Sequence, residues 1–504
     1  MSHRARRLTR PTPLRGSNGV AFGPDGRLYV AQFLAGEISA LDPATGDLEV
    51  VVPADGPVQA PDDLAFGADG SMYITDLVPG RVWRRHPDGA FTLVTDQVRL
   101  PNGIACVGDR LFVNEMIPGG RLLELTGGEP VVLTGGLAMG NAMQLGPDGH
   151  LYYPHMLTGE VFRIPPDGGT PELVAADVHE PVAVRFGLDG TLLVLSRGAE
   201  GIITRIELHG TGERSLLTSG LAGLDNAAFD TENRLFVSSY AGGGITEVHP
   251  DGRTREVAPR GFAGPFGVTV DLGGTVHTAD HYRIAEPRES EVATTELLTF
   301  AHGIVADGDL LHVTSQYGQV RTYDRTTRAV RTRAKDLDQP LGIAVRADGV
   351  LVVAEAGAGR VLAIDADDTV SVLADGLGRP VDVAVDEENC YVSDEAHGQV
   401  YRLDDGTPVA GGFDAPQGID VAAGLLHVAE TGAGRVVTVD LTTAETVTTT
   451  ALPAAAPSTR DLPDLRVHGF PGIPRPFTAV AAAGGSLYVT ADGTVLHLIP
   501  AEHA

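Results

Sequence analysis

One pattern returns along this chain: an alternating apolar run, an Asp-Gly turn or its equivalent, and a second apolar run. It is clearest from Asn18 to Gln32, NGVAFGPDGRLYVAQ. It recurs as PDDLAFGADGSMYITD from Pro61, PNGIACVGDRLFVNE from Pro101, GNAMQLGPDGHLYYPH from Gly140 and PVAVRFGLDGTLLVLS from Pro181. Further copies begin near Leu224, Pro265, Ala301, Pro340, Pro380, Pro416 and Pro476, which makes twelve, spaced about forty residues apart. Period-two runs flanking a tight turn are the signature of a β-hairpin. A third run follows in most copies (RVWRRH from Arg81, RVLAID from Arg360, RVVTVD from Arg435), then a fourth, less regular one. Four strands in forty residues make a propeller blade, and propellers close with about four to eight blades. The reading is therefore all-β: twelve four-stranded blades in two tandem six-bladed β-propellers, with no sustained helical periodicity.

The repeats set the expected boundaries. Residues 1–16 form an N-terminal tail, 17–261 the first propeller and 262–504 the second, with a Pro/Ala-rich insertion at 452–475 that reads as a long loop over one face. The last repeat supplies three runs (TAVAAA, SLYVTA, TVLHLIP), whereas repeat six has its own fourth, TREVAP from Thr254. An open blade leaves an unpaired edge, which proteins generally cover. The tail stretch Arg6–Leu14 is thus expected to close the last blade, its Pro11 and Pro13 fitting only an outer edge.

Composition narrows the function classes. A net charge of −29, spread over 504 residues, argues against nucleic acid and anionic membranes as partners. The basic N-terminus has no apolar stretch behind it, so a cytoplasmic location and a small-molecule substrate are expected, with the oligomeric state left open, a monomer included. Cys106 and Cys390 each sit inside a strand-like run and read as small hydrophobes. Lys335 is the only lysine, which argues against Schiff-base chemistry. No G-x-S-x-G, H-E-x-x-H or phosphate-binding glycine loop occurs.

The first strand of each blade lines the central channel, and the residue seven positions before the turn faces its mouth. In the first ring this position holds Asn18, Asp62, Asn102, Asn141, Val182 and Asp225; in the second, Phe266, His302, Leu341, Val381, Gln417 and Phe477. Converging carboxylate and amide oxygens without thiols suit a hard divalent cation, Ca²⁺ or Mg²⁺. The same residues before glycine also suit a tight strand start, the side chain bonding its own backbone. A second ring of positions, at the second-strand ends, includes Asp76, Glu115, His155, Glu355 and Glu430. Arginines five residues on from Asp76, Glu355 and Glu430 suggest ion pairs across the hairpin. His155 departs from the acidic pattern and is a candidate general base. His277, His281 and His302 group loosely, without acidic channel partners.

The repeats PNGIACVGDRLFV and PLGIAVRADGVLVVAEAGAGRVLAID resemble the NHL-type and gluconolactonase-like propellers, and within them the senescence-marker-protein/gluconolactonase/luciferin-regenerating-enzyme family. That resemblance implies a metal site with one oxygen ligand from each of four blades. Matched residue by residue, it points to Asp62, Asn102 and Asn141 on consecutive blades and to Asp225 two blades back around the ring. It also implies a base following the first ligand, here Asp63. The family's Glu-Gly-Pro motif has a faint counterpart in HEPV, His179–Val182, which adds Glu180 to Asn18 and Glu115 as channel-lining candidates. The expected function is a divalent-metal-dependent enzyme acting on a small molecule: lactone hydrolysis, or a related lyase, isomerase or cyclase step in specialised metabolism. The alternative is a non-enzymatic propeller that binds a ligand or protein.

Overall fold

The protein is described by a computed structural model covering residues 3–127, 129–208, 212–289, 291–387, 389–453, 466–491 and 493–501. Strands build twelve four-stranded sheets and one two-stranded hairpin. None of the described segments is a helix long and apolar enough to cross a membrane. Contacts divide the chain into two compact units, each a ring of six sheets. One contains Thr12–Ala263 together with Ser458–Ile473. The other contains Met1–Pro11, Gly264–Pro457 and Pro474–Ala504. The insertion expected to belong wholly to the second ring is thus shared, and Arg466–Ile473 group with the first.

Blade 1 shows why the repeat folds as it does. Ser17–Phe22 pairs antiparallel with Leu28–Gln32, Val20 facing Val30. Between them Gly23 N–H donates to the Arg27 carbonyl, and Gly26 takes the positive φ of 79° that closes the turn. The side chain of Asp25 accepts from Arg27 N–H, which is why the turn favours aspartate. Glu37–Leu41 and Leu48–Val52 complete the sheet. Apolar faces of successive blades then pack together: Tyr29, Ala31 and Ile38 of blade 1 lie against Leu64, Met72 and Ile74 of blade 2.

Innermost strands approach closely at the axis. A Cβ on Gly19 would lie 2.4 Å from Asp63 Cα, and one on Gly103 would lie 2.2 Å from the Asn141 carbonyl oxygen. The glycine after the channel residue is therefore a packing requirement. Each ring closes through one repeated contact, in which a second-strand side chain donates to the carbonyl of the channel residue in the next blade. Asn114 Nδ2 does so to Asn141 at 2.7 Å, and Ser393 Oγ to Gln417 at 2.7 Å. The same contact joins blade 6 to blade 1 (Ser238 Oγ to the Asn18 carbonyl, 2.5 Å) and blade 12 to blade 7 (Thr490 Oγ1 to the Phe266 carbonyl, 2.8 Å).

Blade 6 contains four strands of its own, ending with Thr254–Ala258. Blade 12 takes its outer strand from the N-terminus, but the strand is His3–Arg7 and not Arg6–Leu14. It runs antiparallel to Thr494–Pro500, with His3 opposite Pro500 and Arg7 opposite Leu496. Proline explains the difference: the paired residues are the proline-free HRARR, and Pro11 and Pro13 fall after the pairing ends.

Candidate functional site

In the first ring the strand pairing shifts register at the channel residue, between Ser17 and Val20, Pro61 and Leu64, Pro101 and Ile104, and Leu224 and Ala227. Such irregularities re-aim a side chain and end pairing locally. They fall on Asn18, Asp62, Asn102 and Asp225, all of which are buried. Asn18 Nδ2 donates to Asp62 Oδ2 at 3.2 Å, so the amide lies between blades 6 and 2 with its nitrogen turned to the carboxylate. Burial, then the Asp225 and Asp63 charges, push the Asp62 carboxyl well above the usual range. Burial and the Asp63 charge raise Asp225 to about 7 against the opposing pull of Arg197 and Arg185.

The amide oxygens complete the picture. Asn18 Oδ1 and Asn102 Oδ1 are buried and have no hydrogen-bond partner among the described residues. Asn102 Nδ2 donates to Met116 Sδ at 3.2 Å, and Asn141 Nδ2 to Met156 Sδ at 3.2 Å. Asn141 Oδ1 already accepts Ala142 N–H at 2.6 Å, which leaves it one lone pair. Two desolvated carboxyls beside two orphaned amide oxygens fit a hard cation, which would neutralise the first and satisfy the second. Among the described residues no group of three or more His, Cys, Asp or Glu is arranged to hold a metal, so an ion here would depend on the asparagines.

Asp63 sits beneath this ring with its oxygens engaged. Oδ1 accepts Leu64 N–H at 2.9 Å and Asn226 Nδ2 at 3.0 Å, and Oδ2 accepts Ile104 N–H at 3.4 Å. Burial raises its carboxyl, opposed by Arg185. The buried Arg185 guanidinium binds Asn226 Oδ1 and donates to the carbonyls of Ala227 at 2.7 Å, Met143 at 3.1 Å and Val184 at 2.8 Å. Asp382 is the equivalent of Asp63 in the second ring, following Val381 instead of Asp62. It accepts Val383 N–H and, from the next blade, Ile419 N–H, both at 2.9 Å. An aspartate here therefore latches neighbouring inner strands, even where the mouth position is apolar.

The other candidates stand at the second-strand ends and the rim. His155 packs on Phe162 with ring centroids 4.5 Å apart and faces Glu160 at 4.0 Å; burial lowers its pKa. Its Nε2 has no partner among the described residues, and it is not brought against Asp63. Glu115 is bound by Arg99 at 2.9 Å and Arg121 at 2.5 Å. Its burial raises the carboxyl, but the two arginines bring it down to about 2. Glu180 is exposed at the rim, in a left-handed backbone conformation (φ 37°). Glu355 and Glu430 form the expected pairs with Arg360 and Arg435. Asp76 does not pair with Arg81 in this way; it accepts Trp83 Nε1 at 3.2 Å and the N–H groups of Gln59 and Ala60 at 3.0 and 2.6 Å.

The second ring's channel also departs from expectation, because it does contain acids. Asp382 and Asp420 line a cavity of roughly 170 Å³, and burial raises their carboxyls to about 8 and about 6. They stand one and three residues after the mouth position, so they were invisible to a reading of that position. His302 stacks against Phe266, centroids 5.2 Å apart, and burial lowers it and His281 to about 3. Arg185 was missed as well, although it stands where other repeats have Ala21, Ala65, Ala105 and Ala228.

No protein-family profile matches the sequence, and no curated protein is similar to it in sequence. Among solved structures it is similar to a streptogramin B lyase (21% identity over 55% of this chain and 95% of that one, TM-score 0.41). It is also similar to regucalcin, a calcium-binding protein from Agrobacterium tumefaciens str. C58 (19% identity, 47% and 86% covered, TM-score 0.39). A third is virginiamycin B lyase from Staphylococcus aureus (16% identity, 62% and 96% covered, TM-score 0.25).

Proposed function

We propose that the first ring is a divalent-cation site at which a small molecule is turned over. The observation that carries this reading is the coincidence, at one mouth, of unsatisfied Asn18 and Asn102 oxygens with the charge-coupled Asp62 and Asp225 carboxyls. Asp62, Asp225, Asn102 and Asn18 would hold Ca²⁺ or Mg²⁺, with Asn141 contributing through its remaining lone pair. The bound ion would polarise a carbonyl or alkoxide oxygen of the substrate. The chain's own residues orient that substrate at the rim, where Arg197 lies over the Tyr240 ring at 5.8 Å. Lactone hydrolysis, or a lyase, isomerase or cyclase step, is the reaction class, with Asp63 or His155 as the proton carrier.

A second reading, non-catalytic ligand binding, is favoured by the state of both candidate proton carriers. Asp63 is occupied by three hydrogen bonds, and His155 is turned onto Phe162. Calorimetric titration of chelator-treated protein with Ca²⁺ and Mg²⁺ tests the shared premise. The expected result is one ion per chain in the wild type and none in Asp62→Ala, with the fold kept by circular dichroism. Undiminished binding by Asp62→Ala removes the site. A cation-dependent turnover rate lost in Asp63→Asn, with ion binding intact, separates enzyme from binder.

A further inference from the structure

The described part of the insertion, Arg466–Val467 paired with Phe470–Pro471 and running on to Ile473, belongs to the same compact unit as the first ring. Ile473 is 2% exposed in a cluster with Phe33, Leu77, Leu100 and Ile117, against which Val467, Phe470 and Met116 also pack. Phe33, Leu77 and Met116 directly follow the second-strand ends of blades 1 to 3, so the strap sits against the rim above Asn18, Asp62 and Asn102.

Met116 belongs to both environments. Its thioether accepts Asn102 Nδ2 at 3.2 Å and lies 3.7 Å from Asn141 Nδ2. A thioether accepts hydrogen bonds weakly and donates none. It therefore tolerates only one orientation of a facing amide, nitrogen inward and oxygen away. Asn102 Oδ1, the oxygen turned away, is buried and has no hydrogen-bond partner among the described residues. Sulfur of this kind is too soft to be a favoured ligand for Ca²⁺ or Mg²⁺ itself.

We propose that Met116, held in place by Val467, Phe470 and Ile473 of the strap, is a positioning residue that fixes the Asn102 amide with its oxygen toward the cation. The inference rests on the cation reading of the first ring. It gives the insertion a task in that ring: the strap stabilises the side chain that orients a ligand, and it closes the rim beside blades 1 to 3 with an apolar wall.

The experiment is calorimetric titration of the full chain with Ca²⁺ and with Mg²⁺, in the wild type, Met116→Leu, Met116→Gln and Phe470→Ala. Leucine keeps volume and apolarity, a swap that usually costs less than about 1.5 kcal/mol of stability, but it offers no acceptor. Glutamine restores one. The expected result is affinity weakened about tenfold, or about 1.4 kcal/mol, in Met116→Leu. Met116→Gln should recover toward wild type, and Phe470→Ala should weaken binding in the same direction. Melting temperatures of the ion-free Met116→Leu and wild-type proteins should agree closely. Equal affinity in wild type and Met116→Leu overturns the proposal, as does equal loss in the Leu and Gln variants, which would mark Met116 as packing alone. A wild type that binds neither ion overturns the cation reading and this inference with it, and is distinguishable from both.

Discussion

Replacing Asp382 by Asn should flatten the pH dependence of second-ring stability. The carboxyl is buried, accepts the N–H groups of Val383 and Ile419 at 2.9 Å, and is raised by burial to about 8. A carboxyl raised in the folded state binds its proton more tightly there than in the unfolded chain. Its contribution to stability is therefore full below the unfolded pKa of about 4 and is lost as pH rises through about 8. A shift of about four units at 1.36 kcal/mol each sets a ceiling of about 5 kcal/mol. Relaxation and water penetration around the ionised group should leave about 2–3 kcal/mol of that. Asparagine can accept only one of the two N–H groups, at a pH-independent cost of about 1–3 kcal/mol for the donor left over. Wild type should thus be the more stable protein at pH 5, with the difference shrinking or reversing by pH 9. Hydrogen exchange of second-ring amides across that range reads the effect separately from the first ring, where Asp225 is raised to about 7. Parallel pH curves for wild type and Asp382→Asn would refute the assignment of the raised pKa to this carboxyl.

Three further outcomes follow from the same geometry. Arg185→Met leaves Asn226, Asp63 and the Ala227 and Met143 carbonyls without their cation, and should destabilise the first ring by about 3–5 kcal/mol in denaturant unfolding; a loss below about 1 kcal/mol contradicts the network. Removing residues 1–9 should lower amide protection of Thr494–Pro500 while first-ring strands stay protected, and equal loss in both rings would show that His3–Arg7 is not a local closing strand. His302→Ala in the second ring should leave the calorimetric Ca²⁺ response of the chain unchanged, whereas loss of that response would place the ion in the wrong ring.

The repeat made the blades legible because turn chemistry, period and spacing agree in every copy. It also located the mouth positions, since Asn18, Asp62, Asn102 and Asp225 fall at one fixed distance from the turn. What lay beyond it depends on neighbours in space. Asp63 and Asp382 occupy the same repeat position, but their shared latch role is visible only once the next blade's N–H is in place. Arg185 is a register outlier among alanines, a signal present in the sequence but meaningless without the carbonyls it reaches. The tail pairs at His3–Arg7 and not at Arg6–Leu14 because Pro11 and Pro13 lack the N–H a ladder needs, a restriction stricter than the need to cover an open edge. The insertion read as a loop; its apolar Val467, Phe470 and Ile473 were the unused sign that it had a surface to cover.

The closing strand of the last blade has a partner almost the whole chain away, and just beyond its end Thr9 meets Thr494 across 485 residues. At ribosomal rates of about 5–20 residues per second, Thr494 emerges about 25–100 s after Thr9 does. All the residues of the first ring are made in the interval, so His3–Arg7 waits as an unpaired strand beside a folding domain. Its sequence suits the wait. Arg4, Arg6 and Arg7 place charge on a segment exposed from Arg4 to Arg7, the kind of edge that resists pairing with the wrong chain. The second ring cannot seal its last blade until Thr494–Pro500 has been made, which makes the first ring the earlier domain to mature and the arginines of His3–Arg7 the guard of the later one.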